Sequence, residues 1–252
     1  MNIKLANFPE SDFVSVVAAS LCRGALALLL PRSRRRSAVA TALLAATLGS
    51  TAPGLAKADV INISPIKDNT LYEYDPTEGD LSNALGFHFF AGATGMSELR
   101  RGVLAFDVAG NIPAGSRIMG VTLTLNMSRT ALITALTVEL HTLLADWGEG
   151  TSQASGEEGT GAPATPNDAT WRHRFFDTIF WTTEGGDFSA TVSASQLVGD
   201  VGVYTWSSPQ MVADVQSWLE NPDANFGWLV LGDESGAGTA KRFDTRESAS
   251  PP

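Results

Sequence analysis

Three tryptophans and a set of arginines carry the chemistry this chain can offer a ligand. Trp147, Trp171 and Trp181 border polar, loop-like segments. An indole face can stack on the apolar face of a sugar ring while planar polar groups hydrogen-bond the hydroxyls. A tryptophan at a strand end also serves as core rim, and the sequence leaves both readings open. Arg100 and Arg101, with Arg242 and Arg246, add guanidinium forks that match a uronic-acid carboxylate. The competing role is internal pairing with Asp107, Asp244 or Glu247, which so acidic a chain favours.

Hard cations need several oxygens close together. Asp68, Asp75 and Asp80 crowd one early segment, and Asp233, Glu234, Asp244 and Glu247 a later one. Calcium is therefore the one cofactor suggested, against the plainer reading of exposed loop acids, and no EF-hand spacing is present. His88, His141 and His173 are far apart and form no HExxH-type cluster, which gives zinc little support. No nucleophile elbow, P-loop or dinucleotide fingerprint occurs. A carboxylate pair can always be drawn from 27 acids, so such a pair is no evidence for glycoside hydrolysis. The expectation is a protein that is not an enzyme. A lyase or hydrolase would need His141, His173, Tyr204 or two carboxylates to converge in a groove.

The elements that must position these residues alternate with period two. Val121, Leu123, Leu125 and Met127 share one face and Thr122, Thr124, Asn126 and Ser128 the other; Leu136, Val138 and Leu140 repeat the pattern. Further strands are expected over 60–64, 70–74, 87–91, 101–108, 201–206, 226–232 and 241–245, with Gly/Pro/Asn turns between. One helix is expected after Ser208-Pro209, with Met211, Val212, Val215, Trp218 and Leu219 as its apolar stripe and Asn221-Pro222 as its stop. Trp218 reads as core. Residues 148–170, rich in Gly, Ser, Thr, Ala and Pro, are expected to form a long exposed loop. Together these predict an all-β fold: an antiparallel, jelly-roll-like β-sandwich with one short helix and a long Gly/Ser-rich loop.

Residues 1–58 read as an export leader, with the signal itself from about residue 32. Arg32, Arg34, Arg35 and Arg36 precede an apolar run over 38–48, a Pro53-Gly54 break and the small-x-small site Ala56-Lys57-Ala58. Cleavage before Asp59 is expected, placing residues 59–252 outside the cell or on its surface as one domain. The run is short of the ~20 residues a membrane span needs, and nothing after residue 58 is longer. Leu21 before Cys22 does not suit a lipid-attachment site. Cys22 is the only cysteine, so residues 59–252 hold no disulfide and no thiolate. Seven of the 17 Lys and Arg but two of the 27 Asp and Glu lie in residues 1–58, which leaves the remainder at a net −15. That charge disfavours nucleic acids and anionic membranes as partners.

The runs RRGVLAFD (100–107), IPAG (112–115), VTLTLNMS (121–128), LLADWGEG (143–150), NFGWLVLGDES (225–235) and AKRFDTRES (240–248) follow one another in an order that resembles the DNRLRE domain. This group of disaggregatase-related extracellular β-sandwich modules is similar to carbohydrate-binding module family 96. The resemblance spans nearly all of residues 59–252. It implies a secreted, non-catalytic module whose partner is an extracellular or cell-surface polysaccharide. Members usually continue past the Arg-Glu-Ser stretch into a last strand, whereas this sequence stops at Pro251-Pro252. A missing strand would leave its neighbour as an unpaired edge open to a protein partner. A structural surface or matrix module is thus the second reading, and a lyase or hydrolase the third.

Overall fold

The computed structural model describes residues 1–8 and 59–248. The export signal over 32–58, Cys22 and Pro251-Pro252 lie outside the described residues. The strands, in chain order, are β1 (Asn2–Phe8), β2 (Asp59–Ile63), β3 (Lys67–Tyr72), β4 (Leu81–Ser82), β5 (His88–Ala93), β6 (Leu99–Ala105), β7 (Arg117–Thr130) and β8 (Leu136–Leu143). They continue with β9 (Ala162–Pro163), β10 (His173–Phe175), β11 (Ile179–Phe180), β12 (Phe188–Val198), β13 (Gly202–Trp206), β14 (Trp228–Leu231) and β15 (Lys241–Asp244). Among the described residues one α-helix, α1 (Pro209–Glu220), follows β13.

The main sheet runs β12-β8-β14-β6-β5-β15-β7-β1-β2, with β13 added on β7 and β3 on β6. Every strand pairing in it is antiparallel. The sheet curls so that apolar side chains from its two halves meet in one core. Leu123, Leu125 and Met127 from β7 pack with Val138 and Leu140 from β8 and Val230 from β14. The fold is thus the all-β antiparallel sandwich that the alternation predicts. Helix α1 covers this core with Met211, Val215, Trp218 and Leu219. Ser208 caps it, its Oγ accepting the Met211 N–H, and Pro209 occupies the first turn, where a missing N–H costs nothing.

Two regions differ from the sequence expectation. The 148–170 segment is a loop apart from β9, but it is not simply exposed: Ser152, Ala154, Glu158, Asp168 and Thr170 are buried. Composition missed this because what holds the loop down is polar. The Asp168 carboxylate accepts from the Gly150 and Thr165 N–H groups, and the Glu158 carboxylate from those of Phe87 and His88 and from the Asn83 amide. Buried carboxylates bonded by several N–H donors remain compatible with folding. The second region is β1, formed by residues that the sequence reading places in the leader. It lies between β7 and β2 and buries Met1, Ile3 and Leu5 in the main core.

Candidate functional site

The tryptophans proposed for stacking share a neighbourhood, and it is interior. Trp147, Trp171 and Trp181 are 0%, 7% and 5% exposed and belong to one core cluster with Leu71, Val103 and Leu229. Their polar edges serve the backbone: the Trp147 indole N–H donates to the Phe226 carbonyl and that of Trp181 to the Thr170 carbonyl. Sugar stacking needs an open ring face, which none of the three presents. Arg101 belongs to the same region. Its guanidinium grips Glu234 through two hydrogen bonds, of 2.7 and 2.9 Å, donates to the Gly185 carbonyl and packs over Trp171. Most donors of Arg101, and its face toward Trp171, are therefore committed inside the fold.

Arg100 lies elsewhere, on a face built by four neighbouring strands. On β15, Arg242 stands opposite Phe90 of β5 and Arg129 of β7; Arg100 of β6 stands opposite Gly92, two residues from Phe90 and so on its side of the sheet. Gly92 has φ +115°, and a Cβ there would come 3.0 Å from the Ala240 backbone, so only glycine lets the two strands approach here. The result is a cleft of about 170 Å³ lined by Phe90, Thr94, Arg100, Arg129, Thr130 and Arg242, among others.

The three arginines play different parts. Arg100 is buried and fully engaged: it donates to the Leu99 and Gly159 carbonyls and to Glu98, and it packs over Tyr72. It forms a fixed wall. Arg129 and Arg242 converge from adjacent strands on one carboxylate, that of Glu157, at 2.6 and 2.5 Å. Glu157 is 66% exposed and Arg129 58%, so this clasp sits at the solvent boundary. The hydrogen bond from Arg129, then its charge and that of Arg242, hold the Glu157 carboxyl below its ordinary range. The pair of arginines thus binds a carboxylate already, supplied by the polar loop. The lining offers guanidinium charge and hydrogen-bond donors, with the Glu157 carboxylate on Arg129 and Arg242 and that of Glu98 on Arg100.

A larger cleft of about 490 Å³ lies between Leu144 and the 182–188 turn. It has less to recognise a ligand with: its one charged lining residue, Asp187, spends both oxygens on the Thr182 and Thr183 N–H groups.

The acids grouped for calcium do not share one environment. Asp68 is buried beside Arg246, with Glu149 and Glu247 on the same guanidinium. Asp75 caps its own turn through Thr77. Asp80 meets Arg172 and His173; burial alone would raise its carboxyl, but the Arg172 and Thr170 hydrogen bonds hold it low. Asp233 accepts from Ser235, and Glu234 belongs to Arg101. Among the described residues no group of three or more His, Cys, Asp or Glu side chains is placed to hold a metal ion. The residues named for a lyase or hydrolase have separate partners: His141 the Ser189 carbonyl and Glu139, His173 Thr170 and Asp80, Tyr204 the Asp200 carbonyl.

No protein-family model and no curated protein matches this chain. Among the described residues no helix is long and apolar enough to cross a membrane.

Sequence reasoning missed Arg129 and Phe90 because no local motif joins them. Arg129, Phe90 and Arg242 are brought together by register alone, and the signal that could have found them is their matching position on the non-core face of alternating strands.

Proposed function

We propose that this protein is a secreted, non-catalytic module that binds acidic extracellular or cell-surface polysaccharide, taking a uronate carboxylate between Arg129 and Arg242. The observation that carries the reading is the clasp of those two arginines on Glu157, a carboxylate at the mouth of a cleft in a protein of net charge −10. Phe90 and Arg100 are both buried and line the cleft without an open face of their own, so recognition rests on Arg129 and Arg242. A ligand carboxylate replaces the Glu157 side chain, which swings outward on a solvent-facing stem. The resemblance to polysaccharide-binding modules, and the convergence of Arg129 and Arg242 on one carboxylate, favour binding over bond cleavage.

The test is affinity electrophoresis in gels cast with a polyuronate or with a neutral glucan. Arg129→Gln and Arg242→Gln each remove a charge-assisted contact worth ~1.5–3 kcal/mol, so polyuronate affinity should fall about 10- to 100-fold with the melting temperature nearly unchanged. Glu157→Gln should raise affinity by weakening the internal competitor. Unaltered retardation of both arginine variants, or retardation by the neutral glucan alone, would remove the cleft from the argument. Release of unsaturated uronides would point to a lyase.

A further inference from the structure

Strand β1 has an unusual relation to the sheet that holds it. It makes ladders on both sides, Ile3 and Leu5 facing Leu123 and Val121 of β7 and also Ile63 and Ile61 of β2. Ile3 and Leu5 are fully buried, Met1 nearly so, and Lys4 points to solvent. Along the edge of β7 it continues the line of β15. β15 occupies Met127 to Thr130, β1 occupies Arg117 to Thr124, and the two run in the same direction. The chain does not pass from one to the other, however. Asn7 pairs with Asp59, yet residues 9–58 intervene, where adjacent antiparallel strands are ordinarily joined by about two to five residues. β1 is therefore an interior strand tied to its neighbours by ladders and three apolar side chains, and to the chain only through a long connection.

From this we infer that the edge of β7 over residues 117–124 is a strand-acceptor site, whose ligand is an extended peptide of another chain with apolar residues at alternate positions, and that β1, which carries β2 on its far side, is its intramolecular occupant. The acceptor's demands can be read from β1. Backbone N–H and C=O groups along the β7 edge fix an extended conformation and supply affinity without regard to side chain, and β2 adds a second ladder once that strand is in place. Ile118, Val121 and Leu123 beneath them require apolar side chains at every second position. A strand lacking that alternation would place polar groups in the core. If the chain is cut before Asp59, the covalent link between β1 and β2 is lost, and the occupant of the site is decided by affinity and concentration alone. The acceptor site does not depend on the polysaccharide reading, and the strands that hold it are tested without any glycan.

The experiment uses the full chain carrying Ile3→Lys and Leu5→Lys, which bars β1 from the core, and the synthetic peptide MNIKLANF as probe. The variant should melt well below the parent. Added peptide should restore its melting temperature in a concentration-dependent way, since a ligand that binds only the native state must raise it. A peptide bearing the same two lysines should do nothing, and the parent chain, already occupied, should not respond to either. Should the double variant fail to fold without peptide, Leu5→Ala serves in its place: it keeps a weakened β1, and the parent peptide should displace that strand and raise the melting temperature. A parent-like melt for the double variant would show that β1 does not occupy the β7 edge. A destabilised variant that no peptide at about millimolar concentration restores, together with an unresponsive Leu5→Ala chain, would show that this edge accepts no strand in trans. Either result overturns the inference.

Discussion

Replacing Asp68 by asparagine should stabilise the protein at slightly alkaline pH, although Asp68 contacts an arginine. The carboxyl is completely buried and one oxygen, Oδ1, has no partner; the other receives Arg246 at 3.3 Å. Arg246 also serves Glu149 and Glu247, so three carboxylates share one cation. Burial, and then the charge of Glu247, push the Asp68 carboxyl up to about 8 from 3.8, against the pull of Arg246. The folded state therefore holds this proton more tightly than the unfolded chain does. Stability from this group is complete below about pH 4 and is lost as the pH rises toward 8. At ~1.36 kcal/mol per pH unit the ceiling on that loss is roughly 5–6 kcal/mol. Asparagine leaves Arg246 with one fewer anion, so a recovery of ~2–3 kcal/mol is expected, or ~5–10 °C in a domain of this size. The assay is thermal melting of parent and Asp68→Asn chains at about pH 4.5, 6 and 8. The two curves should nearly coincide at the lowest pH and separate as pH rises, with the variant the more stable. A variant less stable than its parent at pH 8, or a difference that ignores pH, would mean that Arg246 outweighs desolvation.

Two other substitutions test the packing around the site. Trp147→Ala should cost ~3–5 kcal/mol, read from urea denaturation, because it empties a buried site, orphans the Phe226 carbonyl and removes the ring beneath Lys67; a parent-like midpoint would return Trp147 to the surface. Gly227→Ala should cost ~3 kcal/mol or more by the same measurement, since Gly227 has φ +84° and a Cβ would fall 1.9 Å from the Leu104 carbonyl oxygen; an unchanged midpoint would contradict that close approach.

Legibility in the sequence tracked the reach of the interaction. Strands β7 and β8 announce themselves because each buries one face and wets the other, and α1 because Ser208, Pro209 and an apolar stripe stand in register. β12 gives no such signal: Thr191 and Val192 are exposed while Ser193 and Ala194 are both buried, so its alternation breaks. β1 has the alternation, but it sits ahead of a basic and apolar stretch that reads as an export signal. Arg246 does pair with Glu247 as the sequence suggested, whereas the partners of Arg101 and Arg242 are Glu234 and Glu157, far along the chain. The buried hold on the 148–170 loop was equally invisible, because Glu158 finds its donors at Phe87 and His88, about 70 residues away.

That loop also has a thermal character of its own. Exposing apolar surface raises heat capacity by about 0.45 cal/K/mol per Å², while exposing polar surface lowers it by about 0.26. The loop's own buried side chains are mostly polar, Ser152, Glu158, Asp168 and Thr170 among them, so their exposure offsets part of the heat-capacity rise from the Tyr72 and Leu81 surface beneath Gly161. A smaller heat-capacity change gives the loop's opening free energy a flatter curve against temperature than the dome of the sheet beneath, with the enthalpy of the carboxylate bonds setting its height and the entropy gained on opening its slope. Cold therefore weakens the loop's hold less than it weakens the apolar core. Since the loop carries Glu157 to the two arginines, the seat of that internal carboxylate is less sensitive to cold than the packing of the sandwich.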